Sequence, residues 1–148
     1  MMIKEGQAAP GFTLQATGGG SVSLNGLKGK RLVLYFYPKD NTSGCTIEAC
    51  DFRDANDGFG DKDAVILGVS RDSIKSHDGF ISKHDLNFRL LSDPDGEVCR
   101  LYGAWGKKAS GKEGIIRTTV LIDEKGTITK IYNKVKVKGH VEEILSNL

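Results

Sequence analysis

The chain has 148 residues, enough for about one domain with a single well-formed core. Its 39% hydrophobic and 27% charged content is ordinary for a globular protein, and 21 basic against 19 acidic residues leave a net charge of +2. That balance lacks the strongly basic face expected of a nucleic-acid-binding domain, and no run approaches the ~20 apolar residues that span a bilayer.

The stretch from Met1 to Gln7 is charged by Lys4 and has no apolar run of signal-peptide length, so export is not expected and a cytoplasmic location is. Ala9 to Leu14 and Ser21 to Leu24, on either side of Gly18-Gly19-Gly20, predict a small β-hairpin within residues 8–25. The triple glycine has neither the lysine nor the following helix of a phosphate loop, so it reads as a turn. Leu32 to Tyr37 is β-branched and aromatic enough for a buried strand over 31–37, which Pro38 ends. Lys39 to Asn41 form a polar turn, and Thr42 stands where a helix N-cap should stand.

The helix that follows, about 43–57, places Ile47, Cys50 and Asp54 on one stripe with Ala49, Phe52 and Ala55 nearby, and Gly58 and Gly60 stop it. Ala64 to Ser70 is a second continuous apolar run, as expected for a central strand covered on both faces. A helix over 73–85 and a short strand over 88–91 come next. The turn Asp93-Pro94-Asp95-Gly96 then opens a helix carrying Val98, Cys99, Leu101 and Tyr102. Residues 103–114 read as a long glycine- and lysine-rich loop containing Trp105, of the length that tends to be functional or disordered. Thr118 to Asp123 and Thr127 to Tyr132 flank Glu124-Lys125-Gly126 as a hairpin, and a short helix over about 139–147 closes the chain. Lys130, Lys134, Lys136 and Lys138 share one parity and predict a solvent face along the last strand. Strand and helix alternate through the middle, giving a single domain with a three-layer α/β arrangement and a mixed sheet.

Three cysteines, an odd number in a reducing compartment, argue for reactive or incidental thiols over a disulfide framework. Cys45 falls in the first turn of its helix, where unpaired N–H groups and partial positive charge favour the nucleophilic thiolate. The alternative, a small buried hydrophobe, is what an unpaired cysteine usually is, and it stands for Cys50 as well. On an intact helix the Cα atoms of Cys45 and Cys50 would lie about 8–9 Å apart, beyond the ~7 Å limit for a disulfide, so the sulfurs can join only if the helix start unwinds. Cys99 reads as a partly buried structural thiol. His77, His84 and His140 show no ligand spacing with one another or the cysteines, so no metal or other cofactor is expected.

The segment Tyr37-Pro38-Lys39-Asp40-Asn41-Thr42-x-Gly44-Cys45-Thr46-x-Glu48-Ala49-Cys50 resembles the signature of the peroxiredoxins, most closely the bacterioferritin comigratory protein or PrxQ subfamily. The likeness extends to Ala9-Pro10-Gly11-Phe12, Gly68-Val69-Ser70, Leu91-Ser92-Asp93-Pro94, Tyr102 to Gly106 and Arg117 to Asp123. Ser43 departs from it, standing where the subfamily commonly has proline. The resemblance implies a thioredoxin-like fold and a peroxidase for hydrogen peroxide and small organic hydroperoxides. It makes Cys45 the attacking thiolate, Arg117 its cation, Thr42 a hydroxyl for thiolate or peroxide, Pro38 a shield against water, and Glu48 the holder of Arg117. It makes Cys50 the thiol that closes an intramolecular disulfide, which thioredoxin or a glutaredoxin-like protein reduces. A monomer is implied, with a weak dimer as the alternative.

Two other activities fit less well. A thioredoxin-like thiol-disulfide oxidoreductase calls for Cys-x-x-Cys, whereas four residues separate these cysteines. A copper-handling protein of related fold would need a Cys-x3-Cys pair and a partnered histidine.

Overall fold

The computed structural model describes residues 3–148, so Met1 and Met2 of the amino-terminal stretch lie outside it. Strands β1 (Thr13–Ala16) and β2 (Ser21–Ser23) form the first hairpin. Gly18, Gly19 and Gly20 adopt φ of 81°, 93° and 70° in its turn, the left-handed region that glycine enters without steric cost. A 3-10 turn over Asn25–Leu27 leads to β3 (Arg31–Phe36), α1 (Ser43–Gly60), β4 (Ala64–Ser70), α2 (Ile74–His84) and β5 (Arg89–Ser92). The chain continues through α3 (Glu97–Leu101), β6 (Trp105–Lys107), β7 (Glu113–Ile115), β8 (Thr118–Ile122), β9 (Ile128–Tyr132) and α4 (His140–Ser146).

Seven strands form one mixed sheet in the order β2-β1-β5-β4-β3-β8-β9. Strands β3, β4 and β5 are parallel, which requires crossovers, and α1 and α2 are those crossovers. The remaining pairs are antiparallel and carry the two hairpins. Alternation along β3 divides the core. Leu32, Leu34 and Phe36 face Val98, Cys99 and Tyr102 on one side, while Val33, Tyr35 and Tyr37 face Phe52, Phe59, Phe80 and Ile144 on the other. Gly68 in the central strand leaves room for this layer, since a Cβ there would stand 2.8 Å from both Tyr35 Cζ and Leu90 Cδ2. Among the described residues no helix is long and apolar enough to cross a membrane.

The fold departs from the sequence expectations at several places. Helix α1 runs through Gly58 to Gly60, because Gly58 is where α4 packs closely: a Cβ there would stand 3.1 Å from Leu145 Cδ2. The inward stripe of α1 is Cys45, Glu48, Ala49, Phe52 and Phe59, and Ile47 is 52% exposed. The expected loop over 103–114 contains the β6–β7 hairpin, with Trp105 paired to Ile115 and the guanidinium of Arg100 4.1 Å from the Trp105 ring centroid. Strand β9 ends at Tyr132, and Lys134 has a left-handed φ of 50°, so Lys134, Lys136 and Lys138 lie beyond the strand they were expected to line.

Candidate active site

Parallel strands deliver their chain ends to one edge of the sheet, and the turn after β3 lies at that edge. Pro38 is half-buried, Asp40 is buried, and Asn41 takes a φ of 62°. Thr42 occupies the N-cap in extended conformation, but its hydroxyl donates to Lys39 O at 2.8 Å and makes no bond to a helix N–H. Cys45 is the third residue of α1 and 1% exposed, with its side chain among the aromatics of the α1 face.

Arg117 arrives from far along the chain by register. Strand β8 pairs antiparallel with β3, Thr118 opposite Phe36, so the residue before β8 lies at the same edge as the turn after β3. Its carbonyl accepts from the N–H of Val135 at 3.0 Å, which fixes the backbone. Its Nη2 donates to Cys45 Sγ at 3.3 Å and its Nη1 donates to Glu48 Oε1 at 2.5 Å. Gly44 makes space for this contact, since a Cβ there would stand 3.2 Å from Nη2. The spacing Cys45 to Glu48 puts thiol and carboxylate on adjacent positions of one helical face, where a single guanidinium reaches both.

Burial raises the Glu48 carboxyl from its ordinary 4.5 to about 7, and Arg117 pulls it back only in part. The reason is geometric: Arg117 satisfies Oε1, whereas Oε2 has no hydrogen-bond partner among the described residues. Tyr35 Oη is the other buried side-chain atom without a partner among the described residues, and burial followed by the charge of Glu48 pushes its pKa well above the ordinary value and keeps the phenol protonated. Burial opposes the charge of Arg117, but Glu48 and Cys45 outweigh it and the group is held more firmly protonated. His140, buried at the start of α4, is lowered to about 4 by burial and then by Arg117. It is therefore neutral near pH 7, and its Nε2 lies within hydrogen-bonding distance of Thr119 Oγ1 at 2.8 Å.

The Glu48 shift has a consequence for stability. From pH 4.5 to about 7 the unfolded chain releases this proton while the folded chain retains it. Stability from this group is therefore greatest below pH 4.5 and falls as pH rises to 7, by roughly 3 kcal/mol at most. Glu48→Gln should flatten that slope, which urea midpoints at pH 5 and pH 8 measure. An unchanged difference between the two midpoints would contradict the assignment.

Cys50 is half-buried on the same unbroken helix, and Cys45, Cys50 and Cys99 are all free thiols. Cys99, expected to be partly buried, is fully buried in the core of the opposite sheet face, where burial and then Asp93 raise its thiol. A surface groove of about 330 Å³ lined by Asp51, Asp54, Val141 and Glu142 does not include Cys45. Sequence reasoning set aside His77 and did not single out Asp40, yet the structure buries both and joins them at 2.7 Å. The signal available was Asp40 itself, a charged residue inside the motif with no assigned task.

The mixed sheet and its covering helices make a thioredoxin-like fold, and on it a buried thiol at the start of a helix is bonded to a guanidinium that arrives just ahead of β8. The model of the AhpC/TSA family matches residues 5–131, and the chain belongs to that family as a peroxiredoxin of the Bcp or PrxQ kind. Peroxiredoxin Bcp of Bacillus subtilis is 50% identical over 100% of this chain and 96% of that one. The PrxQ of Xylella fastidiosa, solved as a cysteine-to-serine mutant, superposes with a TM-score of 0.94 at 37% identity, covering 98% of this chain and 94% of that one. The bacterioferritin comigratory protein of Xanthomonas campestris, described for alkyl peroxide reduction and trapped in intermediate and ligand complexes, gives a TM-score of 0.88 at 42% identity over 92% and 88% of the two chains.

Proposed function

We propose that Cys45 is the residue that attacks the peroxide, and that Arg117, Thr42, Pro38 and Glu48 serve it. The observation that carries this reading is the guanidinium shared between Cys45 Sγ and Glu48. The Cys45 thiolate attacks the terminal oxygen of the hydroperoxide. An S–O bond forms, the O–O bond breaks, and the leaving oxygen takes a proton from water to depart as water or alcohol. Negative charge moves from sulfur to oxygen in this step, and Arg117 is placed to follow it with fixed donors. The Thr42 hydrogen is committed to Lys39 O, so toward a peroxide its oxygen acts as an acceptor for the O–H. Pro38 closes the entry beside the turn and limits water. Glu48 aims the guanidinium.

Cys50 then attacks the sulfenic sulfur, an S–S bond forms and water leaves. Five residues of helix separate the thiols by about 7.5 Å of rise, so the first turns of α1 must open for this step. A thioredoxin-type dithiol reduces the disulfide, with thioredoxin as the preferred partner and a glutaredoxin-like protein as the alternative. The unit acts as a single-domain monomer in the cytoplasm on hydrogen peroxide and small organic hydroperoxides, without nucleic acid or membrane.

The test is turnover with and without the second thiol. With thioredoxin and its reductase, Cys50→Ser should still reduce one equivalent of peroxide but fail to turn over. Sustained turnover by Cys50→Ser at the parent rate would remove Cys50 from the mechanism.

A further inference from the structure

On the side of the turn away from Arg117, one carboxylate gathers an unusual number of partners. Asp40 Oδ1 accepts from Tyr37 Oη at 2.6 Å, and Oδ2 accepts from Ser76 Oγ at 2.8 Å and lies 2.7 Å from His77 Nδ1. The Asp40 and His77 side chains are 1% and 0% exposed. His77 Nε2 lies 2.9 Å from Leu91 O, which can only accept, so that nitrogen carries a hydrogen and the Nδ1–Oδ2 pair shares a proton. The Asp40 backbone N–H donates to Asp72 Oδ2 at 2.9 Å, and the same oxygen accepts from Ser70 Oγ at 2.6 Å. The Asp40, Asp72 and His77 donor atoms lie close enough together to suggest a metal site, but all of them are engaged in these bonds, and they form a closed hydrogen-bonded network.

The network ties the turn to the end of β4, the first turn of α2 and the end of β5. It acts where the backbone resists: the residue after Asp40 is Asn41, held at a φ of 62° that a non-glycine residue adopts reluctantly. The Thr42-to-Lys39 bond closes the other side of that residue. The four residues before the nucleophile helix are thus held from both ends, while the helix start itself has no side-chain cap. We propose that Asp40 and His77 are positioning residues that hold the turn so that α1 starts at Ser43 and Cys45 meets Arg117, and that they set how often the helix start is closed. This inference rests on Cys45 being the attacking thiol. Closing favours the first oxidation and opening favours disulfide formation, so loosening the network moves the two rates in opposite directions.

The experiment compares the parent protein with Asp40→Asn, His77→Gln and Ser76→Ala, following sulfenic acid formation and then disulfide closure after one equivalent of hydrogen peroxide in stopped flow. The first two variants are expected to slow the first step by about tenfold to a hundredfold and to leave closure equal or faster. Amide exchange should quicken at residues 43–47 while residues 50–58 keep their protection. Ser76→Ala removes one bond to Asp40 and leaves the His77 pair, so it should fall between, and it stands in for any variant that fails to fold. A purely structural role would lower the melting temperature with both rates within about twofold of the parent, and that result overturns the proposal. If the parent itself forms no sulfenic acid at Cys45, the reading of the active site fails instead.

Discussion

Cys45→Ser is expected to end peroxide consumption altogether while leaving the fold in place. A serine hydroxyl stays protonated near neutrality and lacks the nucleophilicity of a thiolate, so no slower version of the same reaction is open to it. The substitution nearly conserves shape at a position that is 1% exposed, and Arg117 Nη2 keeps an acceptor in place of the sulfur it now meets at 3.3 Å. The unfolding midpoint should therefore move by only about 1 kcal/mol in stability. Cys99→Ser is the matched control, since that thiol lies in the core on the far side of the sheet. It should keep the parent rate. Peroxide remaining over time, with thioredoxin and its reductase in excess, distinguishes the three proteins, and a Cys45→Ser variant that consumes peroxide at the parent rate would contradict the mechanism.

Arg117→Ala should slow the first oxidation by about a hundredfold to a thousandfold, the usual cost of losing one donor to charge that develops in a transition state. It should also cost about 1–3 kcal/mol of stability, because Glu48 Oε1 loses in a buried place the guanidinium that satisfies it among the described residues. These two effects are separable. Since Glu48 titrates near 7, it can retain its proton when the cation is gone, which limits the damage at lower pH. Adding Glu48→Gln to Arg117→Ala should recover part of the stability and none of the rate. Arg117→Lys keeps the charge, but one ammonium cannot fork between Sγ and Oε1, so an intermediate rate is expected. Equal rates for Arg117→Ala and the parent would mean that the guanidinium is structural only.

Much of the site could be read directly from the sequence because its parts are local. Pro38 ending an apolar strand, Thr42 at a helix start and Cys45 within the first turn are consequences of neighbouring residues, and the structure places all three accordingly. Arg117 needed the motif, since nothing in its own neighbourhood tells of a partner across the sheet. The rotation of α1 was misread because Glu48, a charged residue, occupies the buried stripe, while Ile47, an apolar one, faces water. Gly58 looked like a helix stop because the contact that explains it comes from Leu145, near the other end of the chain. The β6–β7 hairpin was hidden by strands of three residues with glycine at their centres, too short to show alternation. Asp40 and His77 escaped notice for the same reason as Gly58: a contact across 37 residues leaves no periodic trace.

The most direct test of the central claim is to locate the first oxidation product. The protein, reduced and then exposed to one equivalent of hydrogen peroxide with a sulfenic-acid-specific dione present, should carry the label on the peptide containing Cys45 in the Cys50→Ser background. Label on Cys99, or none on Cys45 while peroxide is consumed, would contradict the account.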